Sequence, residues 1–243
     1  MPRDWDADTY DRLPIPMTRW GSAVLEWLDL RGDEHVLDAG CGTGRVTALL
    51  RDRLPRGEVV ALDGSVSMIE RAKERLGDDR VTYVVADLQH PLPIESPVDA
   101  VLSTATFHWV LDHDALFEHL AAVMRPGAQL AAQCGGEGNI ASIETALRRL
   151  GEDLAGRKHY AGPGITKARL EAAGFTDVET WLQEEPTPIP HDDLESYLSA
   201  ICLGDHVEGM SDAERTAFVH GVAEHLPEPV IDYVRLNIRA RRA

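Results

Sequence analysis

The run Val36-Leu37-Asp38-Ala39-Gly40-Cys41-Gly42-Thr43-Gly44 constrains this chain more than any other stretch. Residues 34–38 are a short apolar run closing on an acid, as in a buried strand. Glycine at every second position cannot prolong that strand, because glycine takes positive φ without steric cost and marks a tight turn. Beyond it, Val46, Leu49 and Leu50 recur at helical spacing. The segment predicts strand, glycine turn and helix. The same grammar repeats: strand 59–62 ending at Asp63, helix 65–76, strand 81–86 ending at Asp87, a fourth strand Val98–Ser103, helix 112–124, and a fifth strand Gln129–Cys134 after the stop signal Arg125-Pro126-Gly127. Strands alternating with helices need crossover connections. With two later strands, Thr176–Glu184 and Val230–Ile238, the expected fold is α/β, a doubly wound, mostly parallel seven-stranded sheet.

Between the fifth strand and the last one the pattern changes. Residues 139–154 read as helical, 156–164 as a polar loop, and a further helix ends at Ala173-Gly174. Helices are predicted over about 191–202 and 211–225. We expect one domain over 1–243, with a core from about 20–138, 165–185 and 229–240. Segments 1–19, 139–164 and 186–228 would form a helical cap inserted before the last strand.

Charge narrows the partners. The 24 Lys and Arg against 41 Asp and Glu give a net charge of −17. A chain this acidic lacks the basic face that phosphates demand, which argues against nucleic acid and against anionic membrane. Cys41, Cys134 and Cys202 are odd in number and widely spaced. They fit neither a disulfide framework nor a zinc site, and a reducing, cytoplasmic setting is expected. The acidic N-terminus lacks a signal-peptide pattern, and no apolar run approaches the ~20 residues that span a bilayer.

Glycines 40, 42 and 44 after a strand leave backbone N–H groups free and let a ligand approach, although an ordinary turn would look the same. Two details favour S-adenosylmethionine over a dinucleotide. Arg45 stands where the dinucleotide fingerprint requires a third small residue. Asp38, two residues before Gly40, would repel a pyrophosphate and attract an ammonium or sulfonium. Asp63 is placed to accept from two ribose hydroxyls, Asp87 from an adenine amine beside the Leu88 backbone, and Met68 to cover an adenine face. Gly64 and Thr104 complete the candidate cofactor set with Cys41.

The glycine run, with Asp63 and Asp87, resembles the signature of class I S-adenosylmethionine-dependent methyltransferases. Trp5, Leu62-Asp63-Gly64-Ser65, Phe107-His108-Trp109-Val110-Leu111-Asp112-His113 and Leu116-Phe117-Glu118-His119-Leu120 resemble the trans-aconitate methyltransferase branch. So does the helical insertion before a final strand ending Ile238-Arg239-Ala240-Arg241-Arg242. The resemblance covers nearly the whole chain and implies a Rossmann-like fold and methylation of a small molecule, with a carboxylic acid among the acceptors it suggests. The chain departs from it after the fifth strand, where relatives often carry Gln-Met-Pro and this chain has Gln133-Cys134-Gly135-Gly136, and Gly135 and Gly136 are expected to open the acceptor pocket.

An ionised carboxylate acceptor needs no base, whereas a hydroxyl or protonated amine does, and His108, following the fourth strand, is the candidate. Trp109 is expected to wall the pocket. Arg157, Lys158, His159 and Tyr160 form one compact cationic and aromatic stretch that would clamp an anion. Trp5 and Tyr10 would close over the cofactor as a lid. Asp112, His113 and Asp114 are better read as a helix start than as a metal cluster. An O- or N-methyltransferase, an NAD-dependent oxidoreductase and a non-catalytic cofactor-binding protein are the competing readings.

Overall fold

The computed structural model describes residues 16–243. Helix α1 (Met17–Leu25) precedes strand β1 (His35–Ala39), α2 (Arg45–Asp52), β2 (Glu58–Asp63), α3 (Val66–Leu76), β3 (Val81–Val85) and β4 (Val98–Thr104). A 3₁₀ turn at Phe107–Trp109 leads into α4 (His113–Val123) and β5 (Met124–Gly135). Then come α5 (Ala141–Arg149), α6 (Pro163–Ala172) and β6 (Phe175–Glu184), followed by short strands β7 (Thr187–Pro188) and β8 (Val230–Ile231) around a helical stretch, and finally β9 (Val234–Arg242). That stretch holds α7 (Leu194–Tyr197), a π turn at Leu198–Cys202, α8 (Gly204–Val207) and α9 (Asp212–Glu224).

Local chemistry explains the boundaries. Asp112 caps α4 by accepting from the Ala115 N–H at 3.0 Å, which bears out its reading as a helix start. Ser65 caps α3 through the Met68 N–H, and Ser211 with Glu214 forms a reciprocal capping box on α9. Helix α1 was missed, although Met17, Trp20, Val24 and Leu25 have helical spacing and three of the four are buried.

The seven-stranded sheet has the order β3-β2-β1-β4-β5-β9-β6. Strands β1 to β5 pair in parallel, and β9 runs antiparallel between β5 and β6. The doubly wound reading holds, with two corrections. Arg125-Pro126-Gly127 lies inside β5, where the ladder shifts register between the Val98 and Ala100 pairings, because Gly127 takes φ +81° without ending the strand. The last predicted strand is two: β8 pairs with β7, and β9 joins the main sheet from Val234.

Alternate residues feed two cores. Leu37, Val60, Leu62 and Val101 pack on one face with α4 residues, while Val36, Val59, Ala61, Ala100 and Leu102 pack on the other with residues of α1, α2 and α3. Burial on both faces is why these strands read as continuous apolar runs. A third cluster joins Trp20, Ile143, Leu147, Tyr197, Leu198, Val219, Ile231 and Tyr233 above the sheet edge. No helix among the described residues is long and apolar enough to cross a membrane.

Candidate active site

The carboxyl ends of β1, β2, β4 and β5 face one edge of the sheet, and β9, being antiparallel, brings its first residues there. Gly135 pairs with Arg235. A cavity of about 480 Å³ opens along this edge, where ligands bind in open α/β sheets.

The glycine loop is built from backbone. Gly40 and Cys41 N–H groups both donate to the Leu62 carbonyl, at 2.7 and 2.9 Å. The Gly42 N–H donates to Asp63 Oδ2 at 2.9 Å, and the Ser65 N–H to Asp63 Oδ1 at 2.9 Å. One carboxylate thus holds the turns after β1 and β2 together. The three glycines, at φ +87°, +53° and +78°, serve different ends. A Cβ at Gly40 would collide with the Thr106 side chain, and one at Gly42 would meet nothing within 4 Å. At Gly44 it would press on Leu76 and Ala72 of α3.

Gly40, Gly42, Asp63, Gly64, Met68, Asp87, Leu88 and Thr104 line the cavity. Asp87 lies two residues past β3, in a turn where Oδ1 accepts from the Gln89 N–H. Three expected cofactor residues are not among the cavity-lining groups. Gly44 is a packing glycine. The Cys41 thiol is buried and points to the Gly42 carbonyl at 3.5 Å. Asp38 is also buried: Oδ2 accepts from Thr47 Oγ1 at 2.7 Å, and Oδ1 has no partner. Burial, opposed by the Thr47 bond, lifts its carboxyl to about 7. Asp38 therefore ties β1 to α2 beneath the cavity edge.

The other half of the cavity is built from side chains. His108, in the 3₁₀ turn, is buried, and its Nδ1 accepts the Gly135 N–H at 3.3 Å. Its ring stacks on Tyr160 at 5.8 Å and tilts against Trp109 at 5.0 Å. Burial first, then the Arg235 and Lys158 charges, push its basicity well below that of ordinary histidine. Trp109 lines the cavity beneath the Lys158 ammonium, 4.6 Å from its ring centre. Ala105 and Ile140, both lining the cavity, take positive φ, the kind of backbone strain that collects at functional sites.

The cationic stretch divides. The His159 backbone N–H donates to the His108 carbonyl at 2.9 Å, fastening the loop to the 3₁₀ turn. The His159 ring does not line the cavity. It stacks on His113 at 4.4 Å, with Nδ1 at 2.9 Å from the Leu111 carbonyl. Arg157 and Lys158 line the cavity, yet Arg157 Nη1 donates to the Asp205 carbonyl and Lys158 Nζ to the Cys202 carbonyl, both at 2.6 Å. Gly135 and Gly136 do not open the pocket. The Tyr160 ring lies where a Gly135 side chain would go, and Leu182 and Leu236 press on Gly136. Trp5 and Tyr10 lie outside the described residues.

Arg235 was missed. It lines the cavity while only 2% exposed. Its neighbours Val234, Leu236 and Ile238 read as strand core, and an arginine between them reads as solvent-facing. Only the packing of Trp20 over its guanidinium, 4.7 Å from the ring centre, shows that the polar side of β9 is covered.

Residues 36–127 match the methyltransferase-domain family. Trans-aconitate 2-methyltransferase of Klebsiella pneumoniae (strain 342) is 28% identical over 98% of both chains. The protein of that name from Acidovorax ebreus (strain TPSY) is 35% identical over 69% of this chain and 63% of its own. The structure of magnesium protoporphyrin IX methyltransferase from Synechocystis PCC 6803, with bound S-adenosylhomocysteine, superposes with a TM-score of 0.59 at 17% identity, covering 93% of this chain and 83% of the other. The open approach at Gly42 beside Asp63 fits the cofactor of such enzymes. The chain thus carries a methyltransferase domain on the fold of the class I S-adenosylmethionine-dependent methyltransferases. Along almost its whole length the chain is similar to the trans-aconitate 2-methyltransferases.

Proposed function

We propose that this methyltransferase esterifies a small carboxylic acid. The observation that carries the reading is the Gly135 N–H on His108 Nδ1. A ring nitrogen that accepts a backbone N–H carries no proton, so the neutral imidazole holds its proton on Nε2 and offers the cavity a donor. With its lone pair engaged and its basicity suppressed, His108 cannot serve an acceptor that must lose a proton. A carboxylate arrives ionised. The names of the relatives agree with this class of acceptor.

The cofactor supplies a methyl group on a sulfonium, open to in-line displacement. The chain's part is positioning and exclusion of water. In this reading Gly40 and Gly42 give the close approach. Asp63, while holding both loops, turns its remaining lone pairs to the ribose hydroxyls. Asp87 and the Leu88 backbone meet the adenine edge and Met68 its face, with Gly64 and Thr104 closing that half. His108 donates from Nε2 to the acceptor, and Trp109 and Tyr160 wall it. Residues 139–164 and 186–228 form the cap of a single domain that shuts over both.

The test is product chemistry. Enzyme and S-adenosylmethionine are incubated with trans-aconitate, other small acids, and hydroxyl and amine compounds, and the methylated product is treated with alkali. An ester releases methanol; an ether or methylamine does not. His108→Gln, which keeps one acceptor and one donor, is expected to hold kcat within about threefold. An alkali-stable product, or a loss of 10²-fold or more in that variant, would overturn the reading.

A further inference from the structure

Among the described residues, Arg235 is a buried cation without an anion. The only hydrogen bond of its guanidinium among the described residues runs from Nε to Gln133 Oε1 at 3.5 Å, and Gln133 is itself fixed by donating to Asn237 Oδ1 at 2.7 Å. Nη2 is buried with no partner. The groups whose charge bears on it are the Cys134 thiol and the Tyr233, Tyr160 and Tyr197 phenols, none a carboxylate. The rings of Trp20 and Tyr233, at 4.7 and 6.0 Å, attract the cation without using its N–H groups. A fold rarely tolerates an unpaired buried charge, because removal from water is expensive unless an opposite charge repays it. The guanidinium faces the cavity, and its planar fork matches a carboxylate held by two parallel bonds.

We infer that Arg235 anchors a carboxylate of the acceptor other than the one methylated. The distinction follows from charge. A carboxylate gripped by a guanidinium has its charge neutralised and its lone pairs engaged, which makes it a poor nucleophile. Placement agrees: β9 is three strand positions from β1 in the sheet order, about 14 Å at normal spacing, so the anchor is remote from the glycine loop. The acceptor is then a di- or polycarboxylic acid. This rests on the carboxylate reading above, and it assigns to β9 the cation that sequence placed at Arg157 and Lys158.

The test uses the full chain with Arg235→Lys, which keeps the charge and loses the fork, and Arg235→Gln, which loses both. S-adenosylhomocysteine affinity, measured by calorimetry, should stay within about twofold of wild type in at least one variant, showing an intact fold. In that variant KM for trans-aconitate should rise at least tenfold with a smaller change in kcat, and the affinity of succinate for the S-adenosylhomocysteine-loaded protein should fall equally. Crotonate, a monoacid, should be a poor acceptor in wild type and little altered by either change. Equal effects on diacid and monoacid, or an unchanged KM for trans-aconitate, would overturn the anchor. Arg235-dependent succinate binding without any methyl ester would keep the anchor and sink the esterification reading. If both variants lose S-adenosylhomocysteine affinity, Gln133→Ala, which frees Nε alone, should raise KM for the diacid more than for crotonate; an equal shift would count against the anchor.

Discussion

The two halves of the cavity are made in opposite ways. The cofactor half is backbone geometry: three glycines at positive φ, two N–H groups on the Leu62 carbonyl, and one carboxylate spanning two loops, all within residues 36–65. The acceptor half is side-chain chemistry gathered from the 3₁₀ turn, the loop before α6, and β9, across more than a hundred residues. Main-chain geometry depends on local residue types, so it tolerates little substitution and changes little among enzymes that share a cofactor. Side-chain pockets can be rebuilt one residue at a time, which is how one fold serves many acceptors.

The sharpest way to break this comparison is at the glycines. Gly40→Ala places a Cβ on Thr106 at a positive φ, and the expected result is a lower Tm and at least 100-fold weaker S-adenosylhomocysteine binding. Gly42→Ala meets no neighbour, so its fold should survive with a cost of about 1 kcal/mol while cofactor affinity still falls. If Gly42→Ala binds normally in calorimetry, the loop does not touch the cofactor.

Asp63→Ala comes next. It frees the Gly42 and Ser65 N–H groups together and removes the ribose acceptor, for an expected loss of about 2–4 kcal/mol, 30-fold or more in affinity. The same titration checks it, and a change under about threefold would place the ribose elsewhere.

The smallest effect is expected in the acceptor half, at Arg157. Its guanidinium is exposed and already donates to the Asp205 carbonyl. Arg157→Ala should therefore shift KM for an acidic acceptor by less than about threefold, since exposed polar contacts contribute little. A tenfold rise would restore Arg157 as the anion clamp and weaken the case for Arg235.

The succession of strands and helices along the chain, the glycine turn, the acid closing β2 and the acid past β3 were legible because each is a short-range matter: residue type and spacing within about ten positions decide them. The capping of α4 by Asp112 was legible for the same reason. Asp38 was recognised as an acid beside the loop, yet its burial under Thr47 was not, since nothing local says which face of α2 lies over β1. Gly135 and Gly136 looked like openings because a missing side chain reads as space; Tyr160 and Leu182, 25 and 46 residues on, fill it.

What the sequence determined by itself is the sheet-forming pattern and the cofactor loop, where backbone conformation follows from glycine and from apolar periodicity. What only the tertiary structure decided is the meaning of the polar side chains at the far end of the cavity. The pairing of Gly135 with Arg235 across β5 and β9 joins residues a hundred positions apart. Trp20, from the opposite end of the chain, covers the guanidinium. Whether an arginine faces bulk water or a covered cavity depends on what packs over it, and that is set by the whole fold.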